Sequence, residues 1–483
     1  MRTHCSESEP LYRRLHSGSG AVVVACAALA GALFSGPTAS AQVLTYGPIL
    51  GRGYTAAQTI VRWGTSGATD ATNVAYRIKG APTWQLAPGT AARDHEVILT
   101  GLNPGETYEY EVRSLATPDG ATFTTCPMPG RPMDFVFYGD SRTGFGSVAG
   151  EHKKILLQVA LKVPEMIFES GDIVPNGSYA QYLSEFFPAA KDLVKSTPFM
   201  AAPGNHDAIS SLPANFGQVF PSPRPTGAPW QSYYSFTCGN ALFLSLDSNN
   251  TGDMAQLKFL TDQLTLGRDN ADIEHIFVWL HHAPFSVGSH GDSVPVQTTW
   301  VPILNQPENH KVTAVFAGHD HVYARMNDGH GIFYIVSGGA GANLYTDTGT
   351  SKATKVVSKS SFNFVAIHLA GRTMSAIAYD DTGTELDRFA VTKVGMTPDG
   401  GSPRDGGTVD GGVLDLTASS DATTSDDASG KAPDLAAPPP PSGGCSVSVV
   451  GGGAPGSALG LGTLLLVGGA LLSQRRVGRR RMV

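Results

Sequence analysis

Two hydrophobic patterns follow one another along the chain. From residue 43 to about residue 126, short segments alternate apolar and polar residues between clusters of Gly, Pro, Asn and Asp, for example at 59–63, 74–78 and 96–99. Such alternation with frequent turns predicts a small all-β sandwich. From about residue 132 the apolar runs are continuous and are followed by helical stretches, as in strands buried on both faces of a layered α/β domain. We therefore predict two folded domains, residues 43–126 and 132–394.

The amino-terminal segment, residues 1–41, is predicted to be a signal peptide. It contains three arginines, an apolar stretch from residue 21 to 34 and the small residues Ala39-Ser40-Ala41. The apolar stretch is shorter than the roughly 20 residues that span a membrane. We therefore expect export with cleavage after Ala41 rather than a transmembrane anchor. The adjacent Arg13-Arg14 leaves both Sec and twin-arginine export open.

The carboxyl-terminal segments are predicted to be a linker and an anchor. Residues 395–444 carry eight Asp against Arg404 and Lys431, a composition typical of a disordered acidic Pro/Gly linker. Residues 447–472 are uncharged and long enough to span a membrane, and five arginines follow them. With Cys445 in front, residues 445–483 resemble the sorting tags of Gram-negative surface proteins, especially the myxobacterial type, whose tail is processed. An ordinary single-span anchor is the alternative. We expect the protein at the cell surface or outer membrane, or secreted after processing.

Charge and cysteine content narrow the function classes. The formal net charge of -7 argues against a nucleic acid as specific partner, because such proteins neutralise phosphates with basic groups. Three of the five cysteines lie in the signal peptide or the tail, which leaves Cys126 and Cys238. Export permits a disulfide between these two, but the sequence leaves the bond open.

Residues with metal-binding side chains follow the predicted strands of the second domain. The ends of parallel strands gather at one edge of a sheet, where α/β folds bind ligands. Imidazoles combined with carboxylate and amide oxygens suit Zn, Mn or Fe better than Ca. The set comprises Asp140, Asp172, Asn205, His206, Asp207, His281, His282, His319, Asp320 and His321.

The ordered motifs Gly-Asp, Gly-Asp, Gly-Asn-His-Asp, His-x-Pro and Gly-His-x-His resemble those of the calcineurin-like metallophosphoesterases. Tyr108, which follows a Pro-Gly turn, looks like the tyrosine corner of a fibronectin type III-like domain. Together these features resemble the purple acid phosphatase branch. The resemblance implies a multidomain protein, with the β-sandwich followed by an α/β layered domain whose β-sandwich core is flanked by helices. It also implies an exported two-metal phosphoric ester hydrolase, an acid phosphatase-like phosphomonoesterase whose nucleophile is a metal-bridging hydroxide.

The resemblance assigns roles residue by residue. Asp172 would bridge two ions of Fe, Zn or Mn. The first ion would be held by Asp140 and His321, and the second by Asn205, His282 and His319. We prefer His282 to His281 because it stands two residues before Pro284, and His281 is the reserve candidate.

Three further residues are expected to contact the phosphate ester. His206 would stabilise the phosphoryl oxygens or protonate the leaving group. His290 resembles a second substrate-contacting histidine, and Arg142 is placed to clamp the phosphate. For His290 and Arg142 a solvent-facing surface residue is the alternative.

Two positions depart from the family pattern. Arg142 stands where many metallophosphoesterases have histidine, and Pro175 stands where purple acid phosphatases have tyrosine. The first metal therefore lacks its usual extra ligand, and no tyrosinate-to-iron colour is expected. His152, Asn176 or water are the candidates to replace that ligand.

Two other functions fit the same sequence features. A phosphodiesterase or nucleotidase would use the same site and differ only in the shape of its pocket. A non-catalytic surface binding protein with a degraded metal site is the third reading. The sequence specifies neither the natural substrate nor the oligomeric state.

Overall fold

The computed structural model describes residues 42–69, 72–115, 117–143, 150–225, 228–393 and 414–415. All of them belong to one structural unit. The predicted signal peptide, nearly all of the linker and the anchor segment 445–483 lie outside the described residues. Within the described ranges, no helix is both long enough and apolar enough to cross a membrane.

The amino-terminal part is an all-β domain, as predicted. Its strands form a three-stranded sheet in the order β1-β2-β5 and a four-stranded sheet in the order β4-β3-β6-β7. Alternate residues of β5 and β6 are buried, so Val97, Leu99, Tyr108 and Tyr110 share a core with Trp63. The strands are β1 (Leu44–Arg52), β2 (Thr59–Thr69), β3 (Asn73–Ile78), β4 (Gln85–Pro88), β5 (Ala92–Leu99), β6 (Thr107–Val112) and β7 (Asp119–Thr124).

Two seven-stranded mixed sheets form the centre of the second part. The first sheet has the order β10-β9-β8-β18-β19-β20-β21 and the second β11-β12-β13-β14-β16-β15-β17. Strands β8, β9 and β10 are parallel to one another, as are β12, β13, β14 and β16. The strands are β8 (Met133–Tyr138), β9 (Met166–Glu169), β10 (Phe199–Ala201), β11 (Tyr234–Cys238), β12 (Ala241–Ser245), β13 (His275–His282), β14 (Val312–Gly318), β15 (Tyr323–Asn327), β16 (Phe333–Ser337), β17 (Thr354–Lys359), β18 (Asn363–Ala370), β19 (Thr373–Asp380), β20 (Glu385–Thr392) and β21 (Leu414–Asp415).

Helices cover the outer faces of both sheets. Strand β8 shows why its apolar run is continuous: Phe137 packs between the sheets, with its ring 3.7 Å from that of Phe316, whereas Val136 packs outward near Ile155 of α1. The predicted α/β layered architecture is therefore confirmed. The helices are α1 (Glu151–Leu161), α2 (Tyr179–Gln181), α3 (Phe187–Val194), α4 (Gly217–Val219), α5 (Met254–Asp269), α6 (Val294–Thr299) and α7 (Val301–Leu304), with π-helical turns at Tyr182–Phe186 and Leu212–Phe216 and a 3-10 turn at Pro307–Asn309.

A disulfide and buried arginines join the two parts. Cys126, which follows β7, is bonded to Cys238 at the end of β11, with the Cα atoms 5.1 Å apart. The bond that the sequence left open is therefore present. Arg52 is buried in β1, and its guanidinium donates to the carbonyl oxygens of Thr124 and Glu165, each at 2.8 Å. The amino-terminal domain thus packs directly on the second part.

Candidate metal centre

The predicted metal ligands come from both sheets. Asp140, Asp172 and Asn205 follow the parallel strands β8, β9 and β10 of the first sheet, while His281 ends β13 and His319 follows β14 of the second. The carboxyl ends of parallel strands meet at one edge of each sheet. The site therefore lies where these two edges meet.

Three of these residues adopt the left-handed backbone conformation, which non-glycine residues rarely occupy. The φ angles are 60° for Asp140, 56° for Asp172 and 69° for His319. Two hydrogen bonds involve all three: the His319 N–H donates to Asp140 Oδ2 and the His206 N–H to Asp172 Oδ1, both at 2.8 Å. Such strain costs about 1–3 kcal/mol per residue and persists where surrounding contacts over-determine it, as at ligand sites.

The residues form two groups that fit a metal ion. One ligand atom each of Asp140, Asp172 and His281 lies within 4.8 Å of the others, and the same holds for His281, His282 and His319. His281 belongs to both groups. In addition, Asp140 Oδ1 is buried without a hydrogen-bond partner among the described residues. A buried carboxylate oxygen without a donor is unfavourable unless a cation is present, so these residues fit a metal centre.

His281 is oriented to offer a lone pair. Its side chain is fully buried, and Nδ1 lies 2.9 Å from the carbonyl oxygen of Ser170. Because a carbonyl can only accept, the proton is on Nδ1 and Nε2 keeps its lone pair. Burial lowers the pKa of His281 to about 3, so the ring is neutral.

Two acceptor oxygens and a ring nitrogen lie close to His281 Nε2. It lies 2.9 Å from Asn205 Oδ1, 3.3 Å from Asp172 Oδ1 and 3.2 Å from His319 Nδ1. Lone pairs that face one another repel unless a cation lies between them. The contacts with Asn205 and Asp172 are thus made by His281, which the sequence held in reserve, whereas His282 belongs to the group that it forms with His281 and His319.

His321 and Arg142 lie on the Asp140 side of the site. His321 donates from Nδ1 to the Asn343 carbonyl at 2.6 Å, which leaves the Nε2 lone pair 3.5 Å from Asp140 Oδ1. The buried guanidinium of Arg142 lies 3.4 Å from Asp172 Oδ2 and 3.3 Å from His321 Nε2. A cationic side chain thus stands beside two predicted ligands of the first metal.

The two candidates for an extra ligand contact other groups. His152 is buried, with Nε2 3.4 Å from the Tyr138 hydroxyl, and burial lowers its pKa to about 3. The Asn176 side-chain oxygen accepts from the N–H of Ser178 at 3.2 Å. Among the described residues, His152 belongs to neither of the two metal-binding groups.

The predicted substrate-contacting histidines flank the site on two sides. His206 Nδ1 lies 2.6 Å from the carbonyl oxygen of Pro175, and its Nε2 is 3.8 Å from Asp172 Oδ2. The exposed His290 stacks on His319 with ring centroids 4.1 Å apart. Its backbone N–H donates to Asp320 Oδ1 at 2.8 Å, which links the His290 loop to the Gly-His-x-His motif.

Asp207 supports the site, a role that the sequence reasoning did not assign to it. Its Oδ2 accepts from the N–H groups of Asp172 at 2.8 Å and Gly204 at 2.9 Å, and its Oδ1 from the Tyr182 hydroxyl at 2.9 Å. Burial, followed by the charge of Asp172, raises the pKa of Asp207 to about 7. The signal was available, because Asp207 completes the Gly-Asn-His-Asp motif.

Comparisons with known proteins agree with this geometry. Residues 145–323 match the calcineurin-like phosphoesterase family model. The chain is 26% identical over 310 residues to purple acid phosphatase 23 of Arabidopsis thaliana. This alignment covers 54% of this chain and 65% of that protein. It is 24% identical over 168 residues to tartrate-resistant acid phosphatase type 5 of Sus scrofa, an alignment that covers 30% of this chain and 47% of that protein. The chain thus spans less than two thirds of the length of these relatives.

Solved structures share the fold. The purple acid phosphatase PPD1 from yellow lupin (Lupinus luteus) superposes with a TM-score of 0.62 at 17% identity, over 73% of this chain and 74% of that one. The structure of PhoD superposes with a TM-score of 0.54 at 14% identity, over 76% of this chain and 95% of that one. Residues 145–323 thus match the calcineurin-like phosphoesterase family model, and the chain is similar in sequence and fold to purple acid phosphatases.

Proposed function

We propose that this protein is an exported, metal-dependent phosphoric ester hydrolase with acid phosphatase-like phosphomonoesterase activity. The observation that carries the proposal is the convergence of acceptor oxygens from Asp172 and Asn205 within 3.3 Å of His281 Nε2. The phosphoesterase family match and the acid phosphatase relatives support it.

Asp172 is the residue that would bridge two metal ions. It belongs to the group with Asp140 and His281. Its Oδ1 lies 3.3 Å from Nε2 of His281, which is also a member of the group with His282 and His319. When bound, two ions polarise a phosphate ester and lower the pKa of a water molecule, so that hydroxide is available near neutral pH. Asp140 and His321 would complete the first site, and Asn205, His281 and His319 the second.

The remaining side chains bind and orient the ester. Arg142 offers a planar cationic fork beside Asp172, which suits two oxygens of one phosphoryl group. His206 Nδ1 faces the Pro175 carbonyl and its Nε2 lies 3.8 Å from Asp172 Oδ2, so Nε2 lies on the side of the proposed metal centre. Protonated there, it would stabilise a phosphoryl oxygen or give its proton to the leaving alkoxide. His290, stacked on His319, would contact the ester from the opposite side.

Hydrolysis assays with two aryl esters test the activity. The purified protein, loaded with Mn, Zn or Fe, should hydrolyse 4-nitrophenyl phosphate faster than bis(4-nitrophenyl) phosphate. Preferred cleavage of the diester would favour the phosphodiesterase alternative. Bound metal without turnover of either ester would favour a non-catalytic binding protein.

Export and tethering belong to the same proposal. The layouts of residues 1–41 and 445–483 support cleavage after Ala41 and attachment to a membrane or cell surface. Amino-terminal sequencing of the mature protein should begin at Gln42. Replacement of Cys445 by Ala should release more protein into the medium if the tail acts as a sorting tag, and should change nothing if the tail is an ordinary anchor.

A further inference from the structure

His282 lies beside the metal-binding residues but has different hydrogen-bond partners. One of its ring nitrogens is within 4.8 Å of ring nitrogens of His281 and His319, and its ring centroid is 4.5 Å from that of His319. The Nδ1 atom of His281 faces a carbonyl, whereas Nδ1 of His282 lies 2.9 Å from the hydroxyl oxygen of Ser248. The two adjacent histidines are therefore held in different ways.

The position of the hydroxyl hydrogen follows from the partners of Ser248. Its Oγ accepts from the backbone N–H of His282 at 2.9 Å. Across the part of the chain that the structure describes, the acceptor within reach of the hydroxyl hydrogen is His282 Nδ1. The hydroxyl can thus donate to Nδ1 and occupy its lone pair, and in this arrangement the ring proton of His282 is on Nε2. A histidine in this tautomer has no free lone pair for a metal ion.

The Ser248 hydroxyl is held in place by the turn that follows β12. Ser248 is buried. Next to it, the Asn249 side-chain amide donates to the carbonyl oxygens of Pro203 and Gly204, both at 3.3 Å. These carbonyls directly precede Asn205, a predicted ligand. The turn that fixes His282 is thus attached to the loop that carries the metal site.

We propose that His282 is a substrate-contacting residue that donates its Nε2–H to a non-bridging phosphate oxygen, and that Ser248 is its positioning residue. The proposal rests on the proposed function, and it names a contact for the phosphate group of the ester. His282 is partly exposed, so its ring is accessible to a bound anion. Because its ring lies next to those of the predicted ligands His281 and His319, a phosphate bound at the metal centre would lie close to this donor. The donation involves no proton transfer.

Metal content and phosphate affinity test the proposal separately from turnover. In His282→Ala, metal per chain should equal the wild-type value. The dissociation constant for inorganic phosphate, measured by titration calorimetry on the metal-loaded protein, should rise about 10- to 100-fold, as expected for the loss of a hydrogen bond to a charged group. His281→Ala is the matched control and should lose metal. A His282→Gln variant, which keeps an N–H donor, should retain part of the affinity.

Ser248 is tested by substitution and rescue. Ser248→Ala should weaken phosphate binding by a smaller factor at unchanged metal content, and Ser248→Thr, which keeps the hydroxyl, should restore it. Loss of metal in His282→Ala to the level of His281→Ala would overturn the proposal, because His282 would then be a ligand. Unchanged phosphate affinity in His282→Ala would overturn it as well. If the wild-type protein hydrolyses neither aryl ester, the proposed function fails, while the phosphate titrations still decide the role of His282.

Discussion

His281 Nε2 lies 2.9 Å from Asn205 Oδ1, although 76 residues separate the two in sequence. Asn205 follows β10 in the first sheet, and His281 ends β13 in the second. Their contact shows that the site is assembled across both sheets of the sandwich. Its geometry therefore depends on how the two sheets pack, and on the glycines that let the ligand loops approach each other.

Gly204 is one of these glycines. A Cβ atom built on it would overlap the backbone nitrogen and Oδ1 of Asp172. We predict that Gly204→Ala lowers metal affinity at least 10- to 100-fold, the range found when groups that orient metal ligands are changed. Gly252→Ala is the matched control, because its Cβ would have no neighbour within 4 Å. Equal metal binding by the two variants, measured by metal titration, would contradict this account of the loop.

Asp320 is predicted to act through His290. Its Oδ1 accepts from the His290 N–H at 2.8 Å, and its Oδ2 from the Ser286 hydroxyl at 2.6 Å and the Gly291 N–H at 3.0 Å. Asp320→Asn should lower kcat/KM, and the loss should not add to that of His290→Ala in the double variant, because coupled residues are non-additive. Fully additive losses at unchanged metal content would show that the two residues act independently.

The amino-acid sequence was sufficient to predict the layered fold and the set of ligand-bearing loops. Continuous apolar strands such as β8 require burial on both faces. The predicted metal ligands lie at or just after the carboxyl ends of such strands. The spacing from Pro284 made the sequence favour His282 over His281. The sequence could not show that His281 faces Ser170 and His282 faces Ser248, because both serines are distant in the chain. The roles of Asp207 and Asp320 were missed for the same reason, since their partners are backbone N–H groups of other loops.

The disulfide between Cys126 and Cys238 closes a long loop, with a sequence separation of 112. Removal of such a bond typically costs about 2–5 kcal/mol of unfolding free energy. We expect the Cys126→Ala/Cys238→Ala double variant to unfold at lower urea concentration than the wild type. Reductant should shift the wild-type midpoint towards that of the variant and leave the variant unchanged. A wild-type midpoint that does not respond to reductant would contradict the prediction.

His275 is predicted to make stability depend on pH. It is buried at the start of β13, with Nδ1 3.0 Å from the Thr313 hydroxyl and Nε2 3.1 Å from the Gly371 carbonyl. Burial lowers its pKa from 6.5 to about 4. Because the unfolded chain binds a proton at higher pH than the folded one, the stabilisation is complete above pH 6.5 and is lost as the pH falls to about 4.

The predicted loss is of the order of 3 kcal/mol between pH 7 and pH 4. It should be measured on the metal-free protein, so that release of metal does not contribute. His275→Gln keeps one donor and one acceptor but does not titrate, and should show a weaker dependence of unfolding free energy on pH. Identical pH profiles for the variant and the wild type would exclude His275 as a source of acid sensitivity.

We propose that the converging loops hold two catalytic metal ions and that Asp172 would bridge them. The most direct test measures metal per chain and turnover of 4-nitrophenyl phosphate in the same preparations of wild type and Asp172→Ala. The account predicts about two ions per chain and turnover in the wild type, as expected for a two-metal site, with both lost in the variant. Metal content and turnover that survive in Asp172→Ala would contradict it.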